Sequence, residues 1–240
     1  MRTYISSGTH RSRAAQVPPL QDVDRLGFVG AGPVPPVTVE SVTILSPVQD
    51  RRESVMKRKR IRLRYFDYRR TGIYFVTVCT HGRKSTLGTI RDGETQLSRL
   101  GRLAASRWES IPKHAPNADL DHFVVMPNHV HGLIGIDTPG IHSESKRESG
   151  ELRGGSLGAV VGGFKASVTR IGRADGIVSM EPVWQRGFWE HIVRGPEALE
   201  RIRCYIVENP SRWYCDAENR ERRGDDPFDA WIDEQGVVPR

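Results

Sequence analysis

Two histidines one residue apart, His129 and His131 in VVMPNHVHGLIGI (124–136), are the sharpest chemical feature of the chain. In a strand, residues i and i+2 point to the same face, so the pair projects together while Val130 and Gly132 face the other way. Two imidazoles so placed can grip one cation. Hydrophobic burial explains neither of them, because Val or Ile would serve a buried strand better. A bare His-x-His pair also fits two satisfied surface or half-buried histidines, and both readings stand at this point.

A two-histidine site is incomplete, and RCYIVENP (203–210) offers a candidate nucleophile and a candidate ligand. Tyr205 and Asn209 lie four apart on a predicted helix, hence on one face. That face differs from the apolar stripe of Leu199, Ile202 and Ile206, so Tyr205 is expected to point away from the hydrophobic interior. A phenol with an ordinary pKa of about 10 is mostly protonated at neutral pH, which makes its attack on phosphate difficult in water. A divalent cation would polarise the non-bridging oxygens and orient the diester for in-line displacement. A covalent intermediate would keep the bond energy for a later joining step. A structural aromatic near a helix end is the other reading of Tyr205.

The elements that must hold these side chains are visible in the pattern. GIYFVTVCT (72–80) is rich in β-branched and aromatic residues and predicts a strand. After a turn-rich stretch, residues 96–111 set Leu97, Leu100, Leu103, Ala104, Trp108 and Ile111 at helical spacing. ADLDHFVVM (118–126) is a second strand, Pro127-Asn128 a tight turn, and HVHGLIGI (129–136) a third strand. Ser156 can cap a helix whose inner face is Leu157, Val160, Val161, Phe164, Val168 and Ile171; Gly162 and Gly163 weaken it. Residues 182–194 predict a fourth strand. Gly195-Pro196 then start a helix that stops near Asn209, since Pro210 disfavours helical geometry in the residue before it. The order βαββαβ plus one helix is that of the ferredoxin-like α+β fold: a four-stranded antiparallel sheet with helices on one face, and a C-terminal helix carrying Tyr205.

Length and composition bound the rest. A chain of 240 residues accommodates one domain with extensions. Residues 1–56, with Pro, Gly and Ser and no regular period, are expected to be disordered; 57–215 form the folded domain and 216–240 a C-terminal tail. Met56 is a candidate translation start, which N-terminal sequencing of native protein decides. Residues 138–156 form a polar loop, read as a linker or a substrate contact. The net charge of +7 favours a polyanionic partner. Three cysteines without CxxC spacing suggest neither a disulfide framework nor a zinc finger and fit a reducing cytoplasm. No secretory h-region and no long apolar run is present, so no membrane association is expected.

Four ordered segments, MPNHVHGLI, SLGAVVGGFKASVT, VWQRGFWEHIVR and IRCYIVENPSRW, resemble those of the single-tyrosine HUH transposases, specifically the REP-associated tyrosine transposases related to the insertion-sequence-200 group. The resemblance spans about Lys59 to Trp213. It implies that His129 and His131 bind a divalent ion, Mg or Mn, that Asn209 completes the metal shell, and that Tyr205 forms a 5'-phosphotyrosine link to single-stranded DNA. It also implies cleavage and rejoining of hairpin-forming, palindromic ends by a monomer or a homodimer. Imidazole ordinarily suits Zn, Cu or Ni better than Mg, and Mn tolerates it better.

The DNA-binding side is marked by Lys57–Arg70, eight basic residues and three aromatics in fourteen positions. Arg62, Arg64, Arg69 and Arg70 suit phosphate contacts and Tyr65 suits base stacking, although a solvated basic arm has the same composition. Lys165, Arg170 and Arg186 are further candidates for phosphate. Trp184, Phe188 and Trp189 are candidates for stacking or for the core. Two other function classes remain in view: a rolling-circle or relaxase-type nickase, and a non-catalytic module, either an RNA-recognition type or a domesticated transposase that only binds palindromic DNA.

Overall fold

The computed structural model describes residues 70–137 and 155–235. The expectations for 1–56, for Arg62, Arg64, Tyr65 and Arg69, and for loop residues 138–154 fall outside these described residues. Strand β1 (Gly72–Cys79) is followed by a hairpin of β2 (Gly88–Arg91) and β3 (Glu94–Leu97), then helices α1 (Arg99–Glu109) and α2 (Ile111–His114). Strands β4 (Ala118–Val125) and β5 (His129–Ile136) precede the long helix α3 (Leu157–Ala174). Strand β6 (Trp189–Ile192), helix α4 (Pro196–Glu208) and helix α5 (Pro227–Gln235) complete the order.

The main sheet runs β4-β5-β1-β6, with every neighbouring pair antiparallel. Leaving the β2–β3 hairpin aside, this is the βαββαβ strand order expected of a ferredoxin-like fold. Strands β1 and β5 are central and pair over eight residues, from Gly72↔Ile136 to Cys79↔His129. Their central position explains why both read as nearly continuous apolar runs.

Alternation along the central strands builds two cores. Tyr74, Val76, Val78, Val130 and Ile134 face Trp108 of α1 and Phe164 of α3. Gly132 lies on that same side: a Cβ there would come within 2.3 Å of the Trp108 ring, so the absence of a side chain lets the indole press on β5 behind the histidines. Ile73, Phe75 and Leu133 face the other way, against Leu199, Ile202 and Ile206 of α4 and Phe228 and Ile232 of α5.

This second layer departs from the sequence reading. The His129/His131 face is covered by α4 and α5 rather than left open, and residues 216–235, expected as a tail, return to the sheet. Phe228 and Ile232 are buried there, each burial stabilising by about 1.5–3 kcal/mol. Asp226 Oδ1 accepts from the Phe228 N–H at 2.8 Å and so caps the start of α5.

Three smaller differences have local causes. The stretch before α1 contains the β2–β3 hairpin, whose Asp92 and Gly93 both take positive φ (51° and 75°), as a two-residue hairpin turn requires. Helix α1 therefore starts only at Arg99, where Ser98 Oγ accepts from Gly101 N at 3.0 Å. The fourth strand is four residues long because Gly187 turns at φ 74° and Trp184 meets Thr80 only as an isolated bridge. Among the described residues no helix is long and apolar enough to cross a membrane.

Candidate metal centre and nucleophile

His129 and His131 are fully buried at the start of β5, with ring centroids 4.2 Å apart. Burying imidazole costs free energy unless its nitrogens are hydrogen-bonded, and each ring is held through Nδ1. His131 Nδ1 lies 2.9 Å from Oγ1 of Thr77, its cross-strand partner on β1. His129 Nδ1 lies 2.8 Å from Oδ1 of Asn128 in the two-residue β4–β5 turn. These contacts turn both Nε2 atoms to the same side, toward Asp216.

Asp216 is the candidate ligand that sequence reasoning missed. Its Oδ2 lies 3.8 Å from Nε2 of each histidine. Among the described residues, His129, His131 and Asp216 form a group whose three potential ligand atoms lie within 4.8 Å of one another. Asp216 follows the 3-10 turn Trp213–Cys215, an irregular segment without period, so neither strand nor helix spacing could have drawn attention to it. The available cue was chemical, an acid eleven residues after Tyr205 in a site short of a carboxylate. Burial alone would raise the Asp216 pKa. The neighbouring His129 and His131 imidazoles and the Asn209 hydrogen bond outweigh it and hold the carboxyl well below its ordinary value, so it is ionised at neutral pH.

Helix α4 delivers the other two side chains. The Tyr205 hydroxyl lies 3.4 Å from His131 Nε2 and donates to Asp216 Oδ2 at 3.3 Å. Asn209 Nδ2 donates to the same Oδ2 at 2.8 Å. Asn209 Oδ1 is buried and has no hydrogen-bond partner among the described residues. The expected separation of Tyr205 from the interior does not hold. The residue is 2% exposed and its ring stacks on Phe228, centroids 3.7 Å apart and 6° from parallel. Only the hydroxyl leaves the apolar layer, because the return of α5 supplies a second core above α4 that the sequence reading lacked.

The donor set fits a divalent cation. Two imidazole nitrogens and one carboxylate oxygen are ordinary ligands, and the 3.8 Å from Asp216 Oδ2 to each Nε2 would close by about half an ångström to match the roughly 3–3.5 Å between atoms bound at about 2.1 Å to a shared ion. Asn209 meets the group through Nδ2, and its buried Oδ1 is left without a hydrogen-bond partner among the described residues.

The proposed DNA contacts are not gathered at this centre. Lys165 and Arg170 lie on α3, on the opposite side of the sheet. The Lys165 ammonium is engaged by the carbonyls of Gln185 (2.5 Å) and Gly187 (2.8 Å), and burial lowers its pKa against a smaller opposing effect of Cys79. Arg170 is exposed and lines, with Lys165, Thr169, Arg173 and Trp184, a groove of about 650 Å³. Arg186 and Arg70 are exposed, and the Arg70 carbonyl accepts from the Tyr74 hydroxyl. Trp184 packs on Phe164, Phe188 on the first core and Trp189 edge-on to Phe75, so all three candidate stacking aromatics are used in packing.

No protein-family model matches the chain. Among solved structures, one described as "Structure of the REP associates tyrosine transposase bound to a REP hairpin" overlays with a TM-score of 0.43 and 21% identity, over 62% of this chain and 72% of that one. The strand order, and not that overlay, carries the fold assignment. Among curated proteins, a Haemophilus influenzae (strain ATCC 51907 / DSM 11121 / KW20 / Rd) protein described as "Uncharacterized protein" is 35% identical over 168 residues, spanning 66% of this chain and 91% of that protein. That identity over nearly the whole length of the relative places this chain in the same family as the Haemophilus influenzae protein.

Proposed function

We propose that the chain is a divalent-metal-dependent transposase of the single-tyrosine HUH kind, acting in the cytoplasm on single-stranded, hairpin-forming DNA. The observation that carries the reading is the convergence of one phenol on a buried His-His-Asp group, with the Tyr205 hydroxyl 3.4 Å from His131 Nε2 and 3.3 Å from Asp216 Oδ2. The ordered sequence motifs that resemble REP-associated tyrosine transposases give the substrate class, and the net charge of +7 agrees with a polyanion.

In this reading His129, His131 and Asp216 hold Mg or Mn, with Asn209 Oδ1 as a further oxygen. The ion, when bound, polarises the non-bridging oxygens of the scissile phosphate. Tyr205 Oη attacks phosphorus and gives up its proton, the new bond is a 5'-phosphotyrosine ester, and the broken P–O bond leaves a 3'-oxygen that takes up one proton to become the 3'-hydroxyl. A 3'-hydroxyl attacking the same phosphorus reverses the step and releases the tyrosine, which makes joining the mirror of cleavage. Asp216 is ionised and only weakly basic, so it orients the phenolic O–H rather than taking its proton. Tyr205 is 2% exposed and its ring is covered by Phe228 of α5, so the strand reaches it when α5 parts from the sheet while Asp216 stays with the histidines. Lys165, Arg170, Arg186 and Arg70 serve as phosphate contacts away from the reacting bond, and the active unit is a monomer or a homodimer.

Incubation with labelled single-stranded hairpin oligonucleotides and Mn or Mg tests the proposal on a denaturing gel. A metal-dependent covalent adduct that disappears in Tyr205→Phe is expected. Binding without an adduct under every metal tried would favour the non-catalytic palindrome-binding module.

A further inference from the structure

We infer that Asn128 is a positioning residue for His129: its amide, locked between two backbone carbonyls, fixes the ring with the proton on Nδ1 and the Nε2 lone pair turned toward Asp216. The inference rests on the metal-site reading above, and it gives a role to a residue that the sequence pattern marks only as part of a turn.

Asn128 is 2% exposed. Its Nδ2 donates to the carbonyl of Glu218 at 2.8 Å and to that of Arg83 at 3.3 Å. Carbonyl oxygens only accept, so the nitrogen must face them; the flipped amide would set oxygen against two oxygens with no proton between them. The amide oxygen is thereby aimed at His129 Nδ1, 2.8 Å away. An amide oxygen also only accepts, so Nδ1 carries the proton. In the neutral ring the lone pair is then on Nε2, the atom 3.8 Å from Asp216 Oδ2.

The two carbonyls are themselves held. Arg83 adopts a left-handed φ of 52° directly after Gly82 at 61°, a conformation that side-chain-bearing residues avoid and that aims its carbonyl at Asn128. The Arg83 guanidinium pairs with the buried Glu218 carboxylate at 2.8 Å, tying the two acceptor residues together. Glu218 also donates its N–H to Asp216 Oδ1 at 2.6 Å. One turn, 216–218, thus positions the aspartate through an N–H and the histidine, by way of Asn128, through a C=O. The turn backbone is clamped as well: Thr80 N and Oγ1 both donate to the Asn128 carbonyl, at 2.8 and 3.0 Å, and Leu87 N donates to that of Pro127 at 2.9 Å. His129 is therefore preset as a ligand before any ion arrives, the service that partners behind a metal-binding histidine perform.

The test reads the tautomer directly. Imidazole ¹⁵N chemical shifts of His129 are recorded in the metal-free full-length protein at about pH 9, where an ordinary imidazole is neutral. The expected wild-type result is the Nδ1–H form, and an Nε2–H ring overturns the proposal without recourse to any variant. Asn128→Ala, checked for folding by circular dichroism, is expected to give a mixture of tautomers and to bind Mn about 10–100-fold more weakly by electron paramagnetic resonance titration. An unchanged tautomer or unchanged Mn affinity in that variant overturns the positioning role. A wild-type protein that shows Nδ1–H but binds no Mn would instead sink the metal reading and leave the tautomer assignment standing.

Discussion

The Tyr205 hydroxyl donates to Asp216 Oδ2 at 3.3 Å, so the candidate nucleophile and the carboxylate of the candidate metal centre are joined before a substrate is present. Asp216 is ionised and shared among Tyr205, Asn209 and the two histidines. Neutralising it should disturb ion binding far more than folding. Asp216→Asn is expected to weaken Mn binding by at least tenfold and to lower adduct formation in parallel, with isothermal titration as the check. Unchanged affinity would remove Asp216 from the ligand set.

Tyr205→Phe deletes one hydroxyl and keeps the ring that stacks on Phe228. Its cost to stability should be about 1 kcal/mol or less, the range of a single neutral hydrogen bond. A melting curve close to the parent, combined with complete loss of adduct, is the expected pair of results. A large drop in stability would make the residue structural first.

Phe228 stacks on Tyr205 and is buried with Ile232 against the sheet. Phe228→Ala should cost about 3–5 kcal/mol, the range for removing a buried aromatic ring. Urea denaturation measures it. A cost under 1 kcal/mol would mean that residues 216–235 do not rest on the sheet in solution.

Asp121 on β4 is fully buried and accepts from Arg203 Nε and an Nη at 3.2 and 2.6 Å, one turn-half before Tyr205 on α4. Burial would raise the Asp121 pKa, but the bonds from Arg203 and His122 hold it below the ordinary value, so the pair persists across the neutral range. Asp121→Ala leaves Arg203, at a largely covered site, with only its 3.4 Å pair to the exposed Glu200 and is expected to destabilise by about 3 kcal/mol. Chemical denaturation of the variant at pH 7 decides this.

His191 on β6 supplies a pH dependence. Burial, and secondarily the charge of Arg194, push its pKa from 6.5 down to about 4. The unfolded chain takes up this proton first as pH falls, so the stability present above pH 6.5 declines between about 6.5 and 4 and is fully lost below that window. The loss amounts to about 3 kcal/mol at most. Denaturation midpoints at pH 7 and pH 4.5 should fall less in His191→Gln than in the parent; equal falls would contradict the assignment.

Periodicity made the central architecture legible. β1, β4, β5, α3 and α4 could be read from alternation or from a 3.6-residue stripe, and the His129/His131 pair stood out because imidazole is out of place in an apolar strand. The β2–β3 hairpin went unread although Asp92-Gly93 is a recognisable two-residue turn, since its strands are short and largely polar. Asp216, Glu218 and Asn128 were illegible for a different reason. They act from irregular backbone, where position in space is set by tertiary hydrogen bonds and no sequence spacing encodes the face. Tyr205 was placed on the correct helix, yet its surroundings depended on α5, whose one buried pair, Phe228 and Ile232, gave too little pattern to predict that it docks.

The central claim is that Tyr205 becomes covalently linked to DNA in a reaction that needs the His129, His131 and Asp216 group. Peptide mass spectrometry of the protein after incubation with a single-stranded hairpin oligonucleotide and Mn tests it most directly. The account predicts a nucleotide-bearing peptide with the modification on Tyr205, absent when a chelator is added and absent in His131→Ala. Modification instead of Tyr214, an exposed tyrosine nine residues further along the chain, or an adduct that survives both the chelator and His131→Ala, would contradict it.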